Sequence, residues 1–270
     1  MPELPEVQTV LDTLKKQIKD SKIIDIDIRY KPIILNDCDD FKNKLINQHF
    51  RSFKRRGKYL LFEMDDITLV SHLRMEGKYF VLDDDTPLNK HDNVIFYLDD
   101  DRQLRYNDVR KFGRMELIDK DKDYRNFHDL GPEPFSKEFN LEYCKQYLSN
   151  KKIPIKQALL DQSFVAGIGN IYADEILFKS KINPTKHTNE LSDENILDLI
   201  SSSKSILKKA IKKGGTTIRS YTSSLGVTGR FQLELNVHTL DRCKVCGSEI
   251  KKIRVASRGT YYCPKCQKWK

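Results

Sequence analysis

The sequence predicts an α+β protein. An N-terminal antiparallel β-sandwich or barrel flanked by helices is followed by a helical domain with a helix–two-turn–helix and a small four-cysteine finger. Three observations predict this. Short alternating strands separated by acidic turns fill the first 130 residues. Helical periodicity takes over after Leu130-Gly131-Pro132-Glu133-Pro134. Four of the six cysteines cluster near the C-terminus in two close pairs.

Composition bounds the possibilities. A chain of 270 residues with 39% hydrophobic and 32% charged residues can bury a core in one or two domains. It holds no run of 18 apolar residues, so no membrane-spanning helix is expected. The start lacks a basic-then-apolar signal segment, and cytoplasmic residence is the expectation. The net charge of +9 is uneven: residues 241–270 carry nine Lys/Arg against Asp241 and Glu249, leaving only +2 for the other 240. A basic end on a near-neutral body points to a polyanion, most simply nucleic acid.

In chain order, Val7, Val10, Leu11, Leu14 and Ile18 form the buried stripe of an amphipathic helix. Ile24, Ile26, Ile28 and Tyr30 alternate with polar residues as a half-buried strand. Further strands are expected at 59–64, 68–73, 78–82, 94–98, 103–106 and 114–118, with turns at Asp65-Asp66, 83–85 and 99–101. Three spots stand out. Lys54, Arg55, Arg56 and Lys58 surround Gly57 at a strand entrance. In the run from Ser71 to Gly77, Met75 sits beside a turn. In the run from Asp108 to Gly113, Arg110 and Phe112 sit beside a glycine. Each alone also fits a solvated strand end or a core plug. Together Met75, Arg110 and Phe112 suggest wedges that enter a base stack.

Beyond residue 130, helices are expected at 139–148, 155–162, 170–178 and 192–213, the last stopped by Gly214-Gly215. Gly167-Ile168-Gly169 forms a tight loop, and Asn170 is the expected N-cap of the next helix. Such a helix start suits a backbone phosphate clamp. The run 216–229 is polar and glycine-punctuated, a candidate mobile loop over a pocket. Residues 231–237 alternate as a strand. The expected domain limits are 1–130, 131–235 and 236–270.

Cys243 and Cys246, then Cys263 and Cys266, have Cys-x2-Cys-x16-Cys-x2-Cys spacing, that of a zinc ribbon. Four thiolates leave no coordination position for water, so one structural Zn²⁺ is expected. Four thiolates and one Zn²⁺ together subtract two charges, so the segment stays basic at about +5. The segment 254–260 reads as a hairpin with Arg258 at its tip, suited to clamp a phosphate.

The first six residues, Met1-Pro2-Glu3-Leu4-Pro5-Glu6, carry a candidate chemistry. Removal of Met1 makes Pro2 a secondary amine at the chain terminus. An α-amino group titrates near pH ~8, so much of it is nucleophilic at neutral pH. Such an amine can attack an electrophilic carbon and form an iminium, with Glu3 as the adjacent carboxylate. The same residues also fit an ordinary helix start, with Pro5 and Glu6 in the first turn.

Four separated motifs together resemble the bacterial formamidopyrimidine-DNA glycosylase family over essentially the whole chain. They are Pro2-Glu3-Leu4-Pro5-Glu6-Val7, the Asp108 to Gly113 run, the Gly167-Ile168-Gly169-Asn170-Ile171-Tyr172-Ala173-Asp174-Glu175 run, and the finger from Arg258 to Gln267. The resemblance implies base excision repair by a glycosylase with abasic-site lyase activity. Its substrate is double-stranded DNA holding oxidised purines or abasic sites. The resemblance makes Pro2 the nucleophile, Glu3 the catalytic acid, Glu6 a supporting carboxylate and Lys58 a proton donor at the damaged nucleotide. It makes Met75, Arg110 and Phe112 the residues that fill the void. His72, Lys156, Asn170 and Arg258 become phosphate contacts, and 216–229 the lesion-capping loop. A monomer that associates with the nucleoid when DNA-bound is expected.

The family usually has a tyrosine followed by Gly-Arg where His238-Thr239-Leu240 stand here, and often Asp-Pro-Arg for Asp108-Val109-Arg110. Two other readings exist. An endonuclease VIII-like enzyme for oxidised pyrimidines fits less well with Leu4. A non-catalytic zinc-ribbon DNA-binding module explains the finger and the charge but not Pro2-Glu3.

Overall fold

The computed structural model describes residues 1–120, 129–216 and 229–268. The chain forms two compact units, Met1–Tyr124 with Gly214–Arg230, and Arg125–Lys213 with Phe231–Lys270.

The first unit is two four-stranded antiparallel sheets and their helices. Helix α1 (Leu4–Ile18) leads into β1 (Ile23–Ile28), helix α2 (Cys38–Leu45) and seven strands. These are β2 (Ser52–Arg56), β3 (Tyr59–Glu63), β4 (Ile67–His72), β5 (Lys78–Asp83), β6 (Asp92–Leu98), β7 (Arg102–Asn107) and β8 (Arg114–Asp119). The sheet orders are β1-β6-β7-β5 and β2-β3-β4-β8. The stripe predicted for α1 is its buried face: Val7, Val10, Leu11, Leu14 and Ile18 join Ile26, Phe96 and Leu104 of one sheet and Leu60, Phe62 and Leu69 of the other. Phe62 of β3 meets Tyr79 of β5 edge-to-face at 5.8 Å, tying the sheets through one core.

Two elements here were not expected. Helix α2 is only eight residues, and just Phe41 and Leu45 are buried, too few for a periodic signal. It starts because Asp37 accepts from the Asp39 and Asp40 amides. Strand β2 is Ser-Phe-Lys-Arg-Arg, whose charges mask a β-pattern. It pairs along its length with β3.

The second unit is helical with a two-stranded finger. Its helices are α3 (Leu141–Ser149), α4 (Ile155–Leu160), α5 (Asn170–Lys179) and α6 (Asp193–Lys212). The loop between α4 and α5 is held by Gln162. Its side chain accepts from the Gly167 amide at 2.9 Å and donates to the Ile168 carbonyl at 2.8 Å. Gly167 has φ 92°, a conformation open to glycine. Strands β9 (Lys251–Val255) and β10 (Arg258–Tyr262) are joined by Ala256 and Ser257, both at positive φ as a two-residue hairpin demands.

Residues 231–237 are not a strand. Phe231–Glu234 is a 3-10 turn. The amides of Asn236, Val237 and His238 donate to the Glu175 carboxylate instead of a ladder. A buried carboxylate that takes three consecutive amides removes the need for a strand partner.

Candidate active site and nucleic-acid interface

In the first unit, α1 is the anchor. Met1 is half exposed, whereas Pro2, Glu3 and Glu6 are buried. Glu3 and Glu6 form a reciprocal capping box, in which the Glu3 amide donates to Glu6 Oε2 at 2.9 Å. The other oxygen, Oε1, accepts from the Thr216 amide at 2.7 Å and its hydroxyl at 3.1 Å. A carboxylate this deep is stable only when its lone pairs are filled, and these bonds fill them. The N-terminal turn is thus fixed from within the unit.

Lys58 is buried beside Gly57 in the two-residue turn between β2 and β3. Gly57, at φ 55°, holds the first turn position, where glycine is favoured. Arg55 bridges this hairpin to α1: it donates to Gln8 Oε1 at 3.0 Å and to the Gly57 carbonyl at 2.9 Å.

Two loops carry the expected wedges. The turn after β4 has Arg74 at φ 52°, its amide donating to His72 Nδ1 at 2.9 Å. That bond makes Nδ1 an acceptor and puts the neutral ring's proton on Nε2. The His72 ring packs edge-on against Tyr59 at 4.5 Å. Met75 follows at 37% exposure. In the second loop, buried Asp108 accepts from the Arg110 amide at 3.0 Å and the Gly113 amide at 2.8 Å. The loop is bent so that Phe112 stands 47% exposed, with the Arg110 guanidinium 4.8 Å from its ring centre. Exposed large apolar side chains on rigid loops are suited to enter a base stack.

Tyr106, which sequence reasoning missed, couples these loops. A Cβ on Gly77 would lie 2.1 Å from its hydroxyl oxygen, and one on Gly113 would lie 1.7 Å away. Both loops therefore close on one buried phenol. Burial pushes that phenol well above its ordinary pKa and keeps it neutral. The signal available was a glycine ending each run.

In the second unit, Lys156 is fully buried. Its ammonium donates to Asp174 Oδ1 at 2.7 Å and to the Gly259 carbonyl at 3.1 Å. Asn170 Nδ2 donates to the same carbonyl at 3.0 Å. Asn170 is the first residue of α5 and not its cap; Gly169 holds the cap position, and the Asn170 side chain turns to the finger instead. Asp174 Oδ2 pairs with His238 Nδ1 at 2.7 Å and accepts from the Tyr261 amide at 3.2 Å. His238 is buried in this network. Arg258 is exposed at the start of β10, just past the hairpin turn. Asp174 and Glu175, unassigned from sequence, are the carboxylates that dock the finger on α5.

The four ligand sulfurs of Cys243, Cys246, Cys263 and Cys266 lie within 4.8 Å of one another. Cys246 and Cys263 have their sulfurs 3.4 Å apart, and Cys243 and Cys266 3.9 Å. A tetrahedral Zn²⁺ with Zn–S bonds of ~2.3 Å spaces its sulfurs by about 3.8 Å, so the donor set fits one structural zinc. The finger's apolar side, Val237, Ile250 and Tyr261, packs with these cysteines on Phe178 of α5. The candidate loop 216–229 lies outside the described residues from 217 to 228.

A two-sheet unit with a buried Pro-Glu terminus and a helical unit bearing a four-cysteine hairpin are the parts that the DNA glycosylase resemblance calls for. The family model for the formamidopyrimidine-DNA glycosylase N-terminal domain matches residues 1–115, that for its H2TH domain residues 130–222, and that for the zinc finger found in FPG and IleRS residues 241–268. The chain is 46% identical to the formamidopyrimidine-DNA glycosylase of Oceanobacillus iheyensis, covering 99% of this chain and 98% of that one. It is 47% identical to that of Ligilactobacillus salivarius, covering 99% of each. Among solved structures it is similar to the Lactococcus lactis Fpg in complex with DNA containing an abasic site, with a TM-score of 0.93, 46% identity and coverage of 99% and 100%. A complex of a mutant of that protein with Fapy-dG DNA matches equally. The chain belongs to the formamidopyrimidine-DNA glycosylase family. Among the described residues no helix is long and apolar enough to cross a membrane.

Proposed function

We propose that this protein is a base-excision repair DNA glycosylase with abasic-site lyase activity, acting on oxidised purines such as 8-oxoguanine and formamidopyrimidines in duplex DNA. The observation that carries this reading is the buried Pro2-Glu3 turn, held by Glu6 and Thr216 in a fold shared with lesion-DNA complexes. Removal of Met1 gives the Pro2 nitrogen a free electron pair. It attacks C1′ of the flipped nucleotide and the base leaves with a proton. Glu3 protonates the opening sugar ring oxygen, and the C1′–nitrogen bond becomes an iminium. The iminium acidifies the C2′ hydrogen. Loss of that proton expels the 3′ phosphate, a second elimination expels the 5′ phosphate, and water releases Pro2 from the sugar fragment.

In this reading Glu6 supports the turn and Lys58 donates a proton at the damaged nucleotide. Flipping costs a few kcal/mol of unstacking and is easiest at a weakened pair. Met75, Arg110 and Phe112 fill the gap and kink the step. His72, Asn170 and Arg258 hold phosphates. Lys156, the other phosphate contact that the resemblance implies, also fixes Asp174 and the Gly259 carbonyl. The division of labour is a catalytic part over 1–130, a DNA-binding part over 131–235 and the finger over 236–270. The protein works as a cytoplasmic monomer at the nucleoid.

Excision tests this. The protein is expected to cleave a duplex with 8-oxoguanine opposite cytosine faster than one with thymine glycol, and Pro2→Gly or Glu3→Gln to keep binding but lose cleavage. Preference for thymine glycol would favour a pyrimidine-directed enzyme. Unchanged function in both variants would favour a pure binding module.

A further inference from the structure

The Glu6 carboxylate serves two masters, and one of them lies 210 residues away. Through Oε2 it holds the Glu3 amide, and through Oε1 it takes both donors of Thr216. All three residues are nearly inaccessible, at 3%, 3% and 4% exposure. The backbone at this point is shaped to let Glu6 in. Gly215 has φ 76°, and a Cβ there would sit 2.6 Å from Glu6 Oε1 and 3.0 Å from its Cδ and Cγ. Gly229 closes the same spot from the other side: its Cβ would meet the Gly215 and Gly214 carbonyl oxygens at 2.4 and 2.6 Å. Three glycines thus clasp two stretches of chain together, and the clasp rests on Glu6.

We propose that Thr216 and Gly215 are positioning residues for the reaction, acting through Glu6 on the turn that presents Pro2 and Glu3. This rests on the proposed function above. Two donors on Oε1 leave Glu6 a single rotamer with Oε2 aimed at the Glu3 amide. Without them a buried carboxylate seeks other donors, and the amide of Glu3 loses its acceptor. Thr216 touches no reacting atom in this account.

The test uses the full-length zinc-loaded protein with Met1 removed. Thr216→Val keeps the amide and deletes the hydroxyl, and should slow single-turnover excision about 10-fold, since one hydrogen bond to a charged group is worth ~1.5 kcal/mol. Gly215→Ala, which displaces Glu6, should slow it at least that much. Thr216→Ser should restore the wild-type rate. Adding Thr216→Val to Glu6→Ala should produce no further loss, because the residue through which it acts is gone. Hydrogen exchange of the N-terminal peptide supplies a readout independent of activity: both Thr216→Val and Gly215→Ala should speed exchange at the Glu3 amide. Full independent losses in the double variant, or unchanged exchange at Glu3, overturns the proposal. A wild-type protein that neither cleaves nor forms a covalent adduct sinks the enzymatic reading instead, and the exchange result still judges the positioning.

Discussion

The Lys156 ammonium and the Asp174 carboxylate lie 2.7 Å apart with both side chains fully excluded from solvent. The pair joins α4 to α5, and through Gly259, Tyr261 and His238 it docks the finger on both. Asp174 has neighbours on both oxygens, so removing its charge strands more than one donor. Asp174→Asn is expected to lower stability by about 3–5 kcal/mol, the cost of leaving a buried ion unpaired. Lys156→Met, which removes a charge but keeps the stem's volume, is expected to cost less. Urea midpoints of the two variants measure this. Equal midpoints to wild type for Asp174→Asn would contradict the buried pairing.

The glycine contacts of Tyr106 give a second prediction. Gly113→Ala places a methyl 1.7 Å from the Tyr106 hydroxyl oxygen, so one of the two must move. Overpacking of this kind costs about 1–3 kcal/mol. Tyr106→Phe removes the obstructing oxygen and is expected to recover part of that loss in the double variant. Thermal unfolding of the two single variants and the double variant reads the coupling. Strict additivity would mean that the loops do not close on Tyr106.

Phe112 separates stability from binding. At 47% exposure its ring contributes little to the fold, so Phe112→Ala should shift stability by no more than ~0.5 kcal/mol. Affinity for a lesion duplex should nevertheless fall by about tenfold, since the stacking of one aromatic on a base is worth ~1–3 kcal/mol. Filter binding against the matched undamaged duplex gives the contrast. A large stability loss with unaltered affinity would make Phe112 a packing residue.

Acid stability has an assignable contributor. Burial pushes the Asp65 carboxyl up, but hydrogen bonds from His49 and Arg51 outweigh it and hold the group at about 2. A depressed carboxyl stabilises the fold above its unfolded value of ~3.9 and loses that contribution as pH falls towards the folded value. The group is part-exposed, so the effect is no more than ~1 kcal/mol. Wild type should exceed Asp65→Asn in stability at pH 6, and the gap should close near pH 2. Denaturant melts at both values test this, and a gap independent of pH would refute it.

Metal removal should act on the finger as a folding event. Four thiolates without Zn²⁺ repel or protonate, and the small apolar cluster around Val237, Ile250 and Tyr261 cannot hold alone. Chelation is expected to abolish duplex binding and expose the β9–β10 hairpin to proteolysis, with recovery on adding Zn²⁺. A metal-free sample that binds normally would contradict the structural role.

Much of this was legible in the residues. The stripe of α1, most strands of both sheets, and the four-cysteine spacing follow from periodicity and ligand chemistry. The misses share a physical cause. Residues 231–237 alternate like a strand, but Glu175 takes their amides, and a distant carboxylate leaves no local trace. Asn170 looks like a helix cap, but the Gly259 carbonyl draws its side chain to the finger. Thr216 and Tyr106 matter through contacts with Glu6 and with two glycines, and such pairings are set by the tertiary fold. His238 stands where the family usually has a tyrosine, and its ring is held in the Asp174 network.

The central claim is that the Pro2 nitrogen attacks the sugar. Borohydride trapping on a duplex with one 8-oxoguanine opposite cytosine, followed by mass spectrometry of the conjugate, tests it most directly. The account predicts a covalent adduct on a peptide that begins at Pro2. Confirmed loss of Met1 and tight duplex binding without any adduct would contradict it.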